Sequence, residues 1–195
     1  MPEPVGTRRP GGRSARVRDA VLAATNDLLS EDGYEALRVE AVAARAGVHK
    51  TTVYRRWPSK AVLVADAARE RSRRMVPVPD TGSFAGDLRA LARAIAANIG
   101  SPEGARRTRT LVVAAATSTD VAEVSLDFWA ERFALTGTIV DRAVERGELP
   151  ERTDSRLVIE TLIGPMYVRL LLTGEPVDRA FADRVAALVA AGVQP

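Results

Sequence analysis

The stretch VEAVAARAGVHKTTVYRRWPSK, Val39 to Lys60, decides how this chain is read. Val39, Val42, Ala43 and Ala46 recur at i, i+3, i+4 and i+7, the spacing of one apolar helix face. Gly47 comes next, where such a helix stops, because glycine takes the left-handed conformation at no steric cost. Val48 and Val53 anchor a second helix inward and leave His49, Lys50, Thr51, Thr52, Tyr54 and Arg55 mostly outward. That second helix is too short and too polar to exist for packing alone. Its outward side chains are donors and cations suited to base edges and phosphates when a helix lies in a major groove. The pattern reads as a helix-turn-helix, against the plainer alternative of a helix pair with a solvated basic face.

The residues after the second helix weigh against the plainer alternative. Tyr54-Arg55-Arg56-Trp57-Pro58-Ser59-Lys60 places two aromatics among three cations and then opens another helix, with Pro58 near its first position. The segment from about Ser14 to Arg74 resembles the amino-terminal DNA-binding domain of the tetracycline-repressor-like (TetR) family of bacterial regulators. The resemblance is carried by Ala43, Ala46-Gly47-Val48, Tyr54 closing the recognition helix, Trp57, and Ser59-Lys60. It covers about sixty residues; the remainder is similar only in length and helical layout. Two positions depart from the family pattern. Arg38 stands where threonine or serine usually caps the second helix, a loss of about 1 kcal/mol of capping, although arginine still reaches a phosphate. His49, the only histidine, stands where serine or glycine commonly opens the recognition helix, and reads either as a DNA contact or as a plain exposed residue.

The resemblance implies base contacts from Lys50, Thr51 and Thr52, a phosphate contact from the Tyr54 hydroxyl, and a second from Lys60. His49 and Arg55 complete the recognition surface, with Arg38 and Arg45 as secondary candidates. It also implies an all-α, nine-helix regulator: a three-helix DNA-binding unit and then a helical ligand-binding and dimerisation domain.

Composition fits. The chain has 195 residues, 46% of them hydrophobic, enough for one large core or two modest ones. The net charge of +3 hides an asymmetry, since Met1 to Met75 carries +6 and the rest −3. Positive charge therefore concentrates where phosphates would be met. There is no cysteine, which excludes disulfides and thiolate metal sites and fits a reducing cytoplasm. The most apolar run, Leu157 to Leu172, contains Glu160, Pro165 and Arg169, and is shorter than the ~20 residues that cross a bilayer. A cytoplasmic protein with no membrane contact is expected.

The chain divides into three segments. Residues 1–13, rich in proline, glycine and arginine, read as a disordered basic arm; Arg8, Arg9 and Arg13 either enter a minor groove or remain a solvated tail. Residues 14–75 form the DNA-binding domain, with a first helix from Ser14 to Gly33, Tyr34 packed back on its core, and a fourth helix ending before Pro77-Val78-Pro79-Asp80. Residues 76–195 hold five more helices. The fifth has the seam Phe84, Leu88, Leu91, Ile95 and Ile99, and the sixth opens at Ser101-Pro102-Glu103. The seventh runs from Thr119 to Gly147 with Val124, Phe128, Leu135 and Ile139 inward. The eighth runs from Asp154 to Thr173, interrupted at Pro165, and the ninth from Pro176 to about Ala190.

The eighth helix is apolar nearly all round, so one face needs a partner outside its own domain. In the family the last two helices form a four-helix bundle between subunits, which makes Val177, Phe181, Val185 and Leu188 a candidate dimer seam; an intramolecular core is the other reading. Phe128, Trp129, Phe133, Met166 and Tyr167, with Arg169 as a polar group, are candidates to line a pocket for a small hydrophobic effector, against the reading of a plain core. Pro165 would kink the eighth helix and open space beside them.

An enzyme is not expected. The sole histidine lies in the recognition helix, and the sequence has no phosphate loop, metal-spaced cluster or nucleophile elbow. No cofactor or metal is implied. The function expected is a ligand-responsive regulator, a repressor in this family's usual mode, that works as a homodimer on a double-stranded, pseudo-palindromic operator. The alternative is a DNA-binding regulator without a small-molecule effector.

Overall fold

The computed structural model describes residues 12–193. Most of the expected basic arm, including Arg8 and Arg9, lies outside the described residues; its last two positions already belong to a helix. Among the described residues there are nine α-helices, one π-helical turn and no strand.

Helix α1 (Gly12–Ala36) buries Val21, Leu22, Leu28 and Leu29. Gly33 breaks it, at φ 80 and ψ 176, and the turn after it folds Tyr34 back into the core. Helices α2 (Val39–Arg45) and α3 (Lys50–Arg56) are joined by a turn at Gly47, whose φ of 65 is the left-handed value the sequence required. Val39, Val42, Ala43 and Val53 are all buried. Arg38 holds the N-cap position of α2 but makes no side-chain cap; its guanidinium turns back onto the carbonyls of Glu35 (2.6 Å) and Leu37 (3.3 Å).

Helix α4 (Lys60–Met75) begins later than expected. Ser59, not Pro58, sets its start, because the serine hydroxyl accepts from Val62 N at 3.2 Å and so fills the capping role. Pro58 precedes the cap.

The larger unit comprises α5 (Phe84–Gly100), α6 (Pro102–Thr117), α7 (Thr119–Glu145), α8 (Ser155–Val168), the π turn Arg169–Thr173, and α9 (Arg179–Val193). Phe84, Leu88, Leu91 and Ile99 of α5 are buried with Ile139, Ile159, Leu162 and Met166. On α7 the expected inward stripe holds at Ile139 and fails at Leu135, which is exposed; Val124 and Phe128 are half-buried. Thr136 and Gly137 occupy the inward position beside Leu135 instead.

Pro165 does not interrupt α8. The helix continues through it to Val168 and changes register only in the π turn, which Gly174 closes at φ 70. Helix α9 starts three residues after Pro176, because Asp178 Oδ1 accepts from Phe181 N at 2.8 Å and caps it.

The expected dimer seam divides. Val177 and Val185 are buried in the protomer's own core, along with Ala182, Ala186 and Val189. Phe181 lies half-buried beneath the Arg169 guanidinium, 3.5 Å from its ring centroid. Leu188, one turn beyond Val185 on α9, is 75% exposed.

The linker after α4 is pinned rather than loose. Asp87, fully buried, accepts from Thr81 N at 2.6 Å and Thr81 Oγ1 at 2.8 Å, with the Arg142 guanidinium 3.6 Å away. Glu148 accepts from Phe84 N at 2.7 Å.

Candidate DNA-binding surface and an internal cavity

The second helix of the motif, α3, presents its polar face outward. Lys50, Thr51, Tyr54, Arg55 and Arg56 are exposed, Thr52 is half-buried, and His49 sits exposed at the N-cap position without a side-chain cap. The structure therefore brings His49, Lys50, Thr51, Tyr54 and Arg55 to one open surface. The Tyr54 hydroxyl donates to Glu40 Oε1 at 3.2 Å. Arg45 pairs with Glu31 at 2.8 Å. Arg38 is exposed at the start of α2.

Lys60 is less free than an exposed cation. Its ammonium donates to the Tyr34 carbonyl at 2.9 Å and sits 4.2 Å from the Tyr34 ring centroid. Burial lowers its pKa, partly offset by Glu35. The first turn of α4 is thereby tied to the end of α1.

A second tie was not legible in the sequence. Trp57 Nε1–H donates to Asp66 Oδ2 at 2.9 Å, while Asp66 Oδ1 accepts from Arg18 at 2.7 Å. Arg18 also reaches Glu70 at 3.0 Å. One carboxylate on α4 thus holds both the aromatic just past the recognition helix and the first helix. Asp66 is nine residues from Trp57, a spacing with no meaning until the two helices are folded against each other.

Behind this unit lies a cavity of about 470 Å³. Phe128, Trp129, Phe133 and Tyr167 are among the residues that line it. The Trp129 ring is 5.2 Å from Phe128 and 5.7 Å from both Phe133 and Tyr167, centroid to centroid. Burial pushes the Tyr167 hydroxyl up to about 12. Met166 and Arg169 do not line it. Met166 points into the solid core on the other side of α8, fully buried, and Arg169 is taken up by Phe181, Glu175 and the Pro176 carbonyl. The cavity walls come not only from α5 to α8 but also from α4, through Val64, Ala68, Arg71 and Ser72. Three arginines, Arg71, Arg107 and Arg132, face it as well, and none was singled out from the sequence. They lie on three different helices, so no motif spacing connects them.

Comparison with known proteins accounts for both halves. Residues 21–67 match the family described as bacterial regulatory proteins, tetR family, and residues 78–189 match the tetracyclin repressor-like C-terminal domain. The chain belongs to the TetR family of transcriptional regulators. It is 34% identical over 180 residues to the HTH-type transcriptional regulator AqdR of Rhodococcus erythropolis, covering 92% of this chain and 86% of that one. It is 31% identical over 189 residues to the regulator YdeS of Bacillus subtilis, covering 96% and 95%. A crystal structure of the TetR family regulator SCO0332 superposes with a TM-score of 0.77 at 35% identity, covering 92% of this chain and all of that one. These relatives are transcriptional regulators, not enzymes.

In this TetR-family regulator, α4 connects the DNA-binding unit to the cavity. Its C-terminal half is clamped to α7 by Glu131, which accepts from Arg69 at 3.0 Å and Arg73 at 2.7 Å. Arg132, the next residue on α7, donates to the Val76 carbonyl in the linker. Ala114 of α6 and Val121 of α7 are buried in the same core as α1 to α4, so the two units share packing. Among the described residues no helix is long and apolar enough to cross a membrane.

Proposed function

We propose that this DNA-binding regulator is a ligand-responsive repressor that works as a two-fold dimer and releases its operator when a small, largely apolar molecule occupies the cavity. The observation that carries this reading is the shared wall: α4 lines the cavity along its length, from Ala61 to Ser72, and bears Lys60 at its first turn. A volume of about 470 Å³ falls within the ~300–1,000 Å³ typical of pockets for drug-sized ligands. A ligand shifts DNA affinity only by preferring one arrangement of the two recognition helices over another. Displacing α4 changes that arrangement directly, and the Arg132–Val76 bond extends the connection into the linker.

On the DNA side, Lys50, Thr51 and Thr52 read base edges in the major groove. Tyr54 and Lys60 hold phosphates, with His49, Arg55, Arg38 and Arg45 around them. Two of these groups exchange partners on binding: Tyr54 leaves Glu40, and Lys60 turns from the Tyr34 carbonyl. Half-sites about one helical turn apart, ~34–36 Å, or a multiple, suit a dimer of this kind.

The dimer face is an exposed apolar stripe on α8 and the π turn, Leu157, Val168 and Leu172, joined by Leu188 of α9. Leu157, Thr161, Gly164, Val168 and Leu172 succeed one another at helical spacing, with small residues mid-stripe that let a partner helix approach.

The test is a thermal-shift screen of small apolar compounds on the full chain, then operator release with every hit. Compounds that raise the melting temperature and lower operator affinity support the reading. A pocket that takes ligands without changing operator affinity would leave a regulator that does not respond through this cavity.

A further inference from the structure

The cavity wall is mostly apolar with a few neutral polar groups, its charged side chains are three arginines, and two of these make no ion pair among the described residues. Arg107, on α6, is only 6% exposed. Its one side-chain partner is Asn98 Oδ1 at 3.5 Å, the outer limit of a hydrogen bond. Arg71, on α4, has a buried Nε with no hydrogen-bond partner among the described residues. Burial pushes the Arg107 guanidinium down to about 10, and the positive charge of Arg71 pushes the same way. The acid that acts on Arg107 from its own helix is Glu103, exposed one turn earlier, and it makes no ion pair with it among the described residues. Arg132 differs from both, since it donates to the Val76 carbonyl.

A guanidinium remains charged at neutral pH. Two of them facing one apolar void, without a carboxylate between them, is an arrangement that packing alone would not favour. Other arginines of this chain find acids: Arg18 with Asp66 and Glu70, Arg69 and Arg73 with Glu131, Arg93 with Asp183. Arg71 and Arg107 have no such acid partner among the described residues. A planar fork of N–H donors also matches a carboxylate better than it matches a hydroxyl or an amide.

We propose that the cavity takes a small monoanionic amphiphile, a carboxylate on an aliphatic or aromatic body, with the carboxylate held between Arg71 and Arg107 and the body against Trp129 and its aromatic neighbours. This rests on the proposed effector response and names the chemical class of the effector. It also gives the ligand a lever. Arg71 is on α4 and Arg107 is on α6, so a bridging carboxylate draws on the helix that carries Lys60. An uncharged molecule of the same shape fills the void without making that bridge.

The experiment is titration calorimetry on the full chain, with Trp129 fluorescence as a second signal, using straight-chain carboxylates of six to fourteen carbons and 4-phenylbutyrate. The alcohols of matching length are the uncharged comparison. The carboxylates are expected to bind at least about tenfold more tightly than their alcohols, as a buried charge-assisted pair requires. Arg71→Met and Arg107→Met should each erase that preference. Without ligand, Arg107→Met should melt at a higher temperature than the parent, because it removes a buried, unpaired charge; a merely structural arginine would melt lower when lost. If alcohols bind as tightly as acids, the effector reading stands and the anion assignment falls. If the acid preference survives in both variants, Arg71 and Arg107 are not the clasp. If neither class binds, both readings fall together.

Discussion

Asp66 Oδ2 accepts the Trp57 indole N–H at 2.9 Å, and the other oxygen of the same carboxylate holds Arg18. This single side chain fixes the end of the recognition helix, the first helix and α4 relative to one another. Asp66→Ala would leave a buried indole N–H and a half-buried guanidinium short of a partner. The expected loss is about 1–3 kcal/mol, the usual cost of an unsatisfied polar group. Thermal melting should show it, and operator affinity should fall even though Asp66 is remote from the α3 surface. A variant that melts and binds like the parent would remove Asp66 from its positioning role.

The neighbouring Glu70 carries a pH dependence. The hydrogen bond from Arg18 is the largest influence; burial opposes it, and a hydrogen bond from Arg74 adds to it, so the carboxyl is held below the ordinary value of 4.5. A depressed carboxylate contributes stability that is present above 4.5 and lost as pH falls through the lower, folded value. Glu70→Gln should therefore flatten the acid limb of the melting temperature against pH, with its largest difference from the parent near neutrality. Parallel curves for the two proteins would contradict this.

Lys60→Ala should weaken binding by a similar factor on every DNA sequence and flatten the salt slope by about one unit, as loss of one phosphate contact does. Lys50→Ala should instead relax sequence preference. Gel-shift titrations at several salt concentrations separate the two. Because Lys60 also bonds the Tyr34 carbonyl, melting of Lys60→Ala must be measured alongside. If Lys50→Ala, Tyr54→Phe and Lys60→Ala all bind operator like the parent, the DNA contacts lie elsewhere.

Leu188→Glu and Leu172→Glu place charges on the exposed apolar face, where the parent side chains are 75% and 79% exposed. Neither should disturb the protomer core, so melting should remain cooperative. Light scattering is expected to show a dimer for the parent and dissociation for the variants, since each would bury an unpaired carboxylate at the contact. A parent that stays monomeric at micromolar concentration ends the proposal.

Gly104→Ala tests the packing that positions Arg107. A Cβ at Gly104 would lie 1.8 Å from the Asn98 carbonyl oxygen, so α5 and α6 must part. A loss of about 1–3 kcal/mol is expected from such overpacking, visible in denaturant melts. An unchanged midpoint would mean that the two helices separate freely at this end.

Local periodicity and turn chemistry were enough to locate the motif. The stripe Val39, Val42, Ala43 with Gly47, and the inward Val53, are local facts, because an apolar helix face and a left-handed glycine depend on neighbours within a few residues. The helix count and the all-α class come from the same short-range rules. Boundaries that turned on a cap were displaced: Ser59 and Asp178 each won over a nearby proline, since a side-chain hydrogen bond to the first turn decides the start.

Tertiary structure alone decided which face of each apolar helix meets which neighbour. Val177, Val185 and Leu188 look alike as a sequence seam, yet the first two fill the protomer core and the third faces outward. Met166 and Tyr167 are adjacent, yet one packs solidly and the other lines the cavity. That Arg71 of α4 and Arg107 of α6 face one cavity is set by how the helices around it are packed and by nothing in their spacing. A helix owns its faces by local sequence; only the packing of several helices determines which of those faces enclose space and which charges are left facing it.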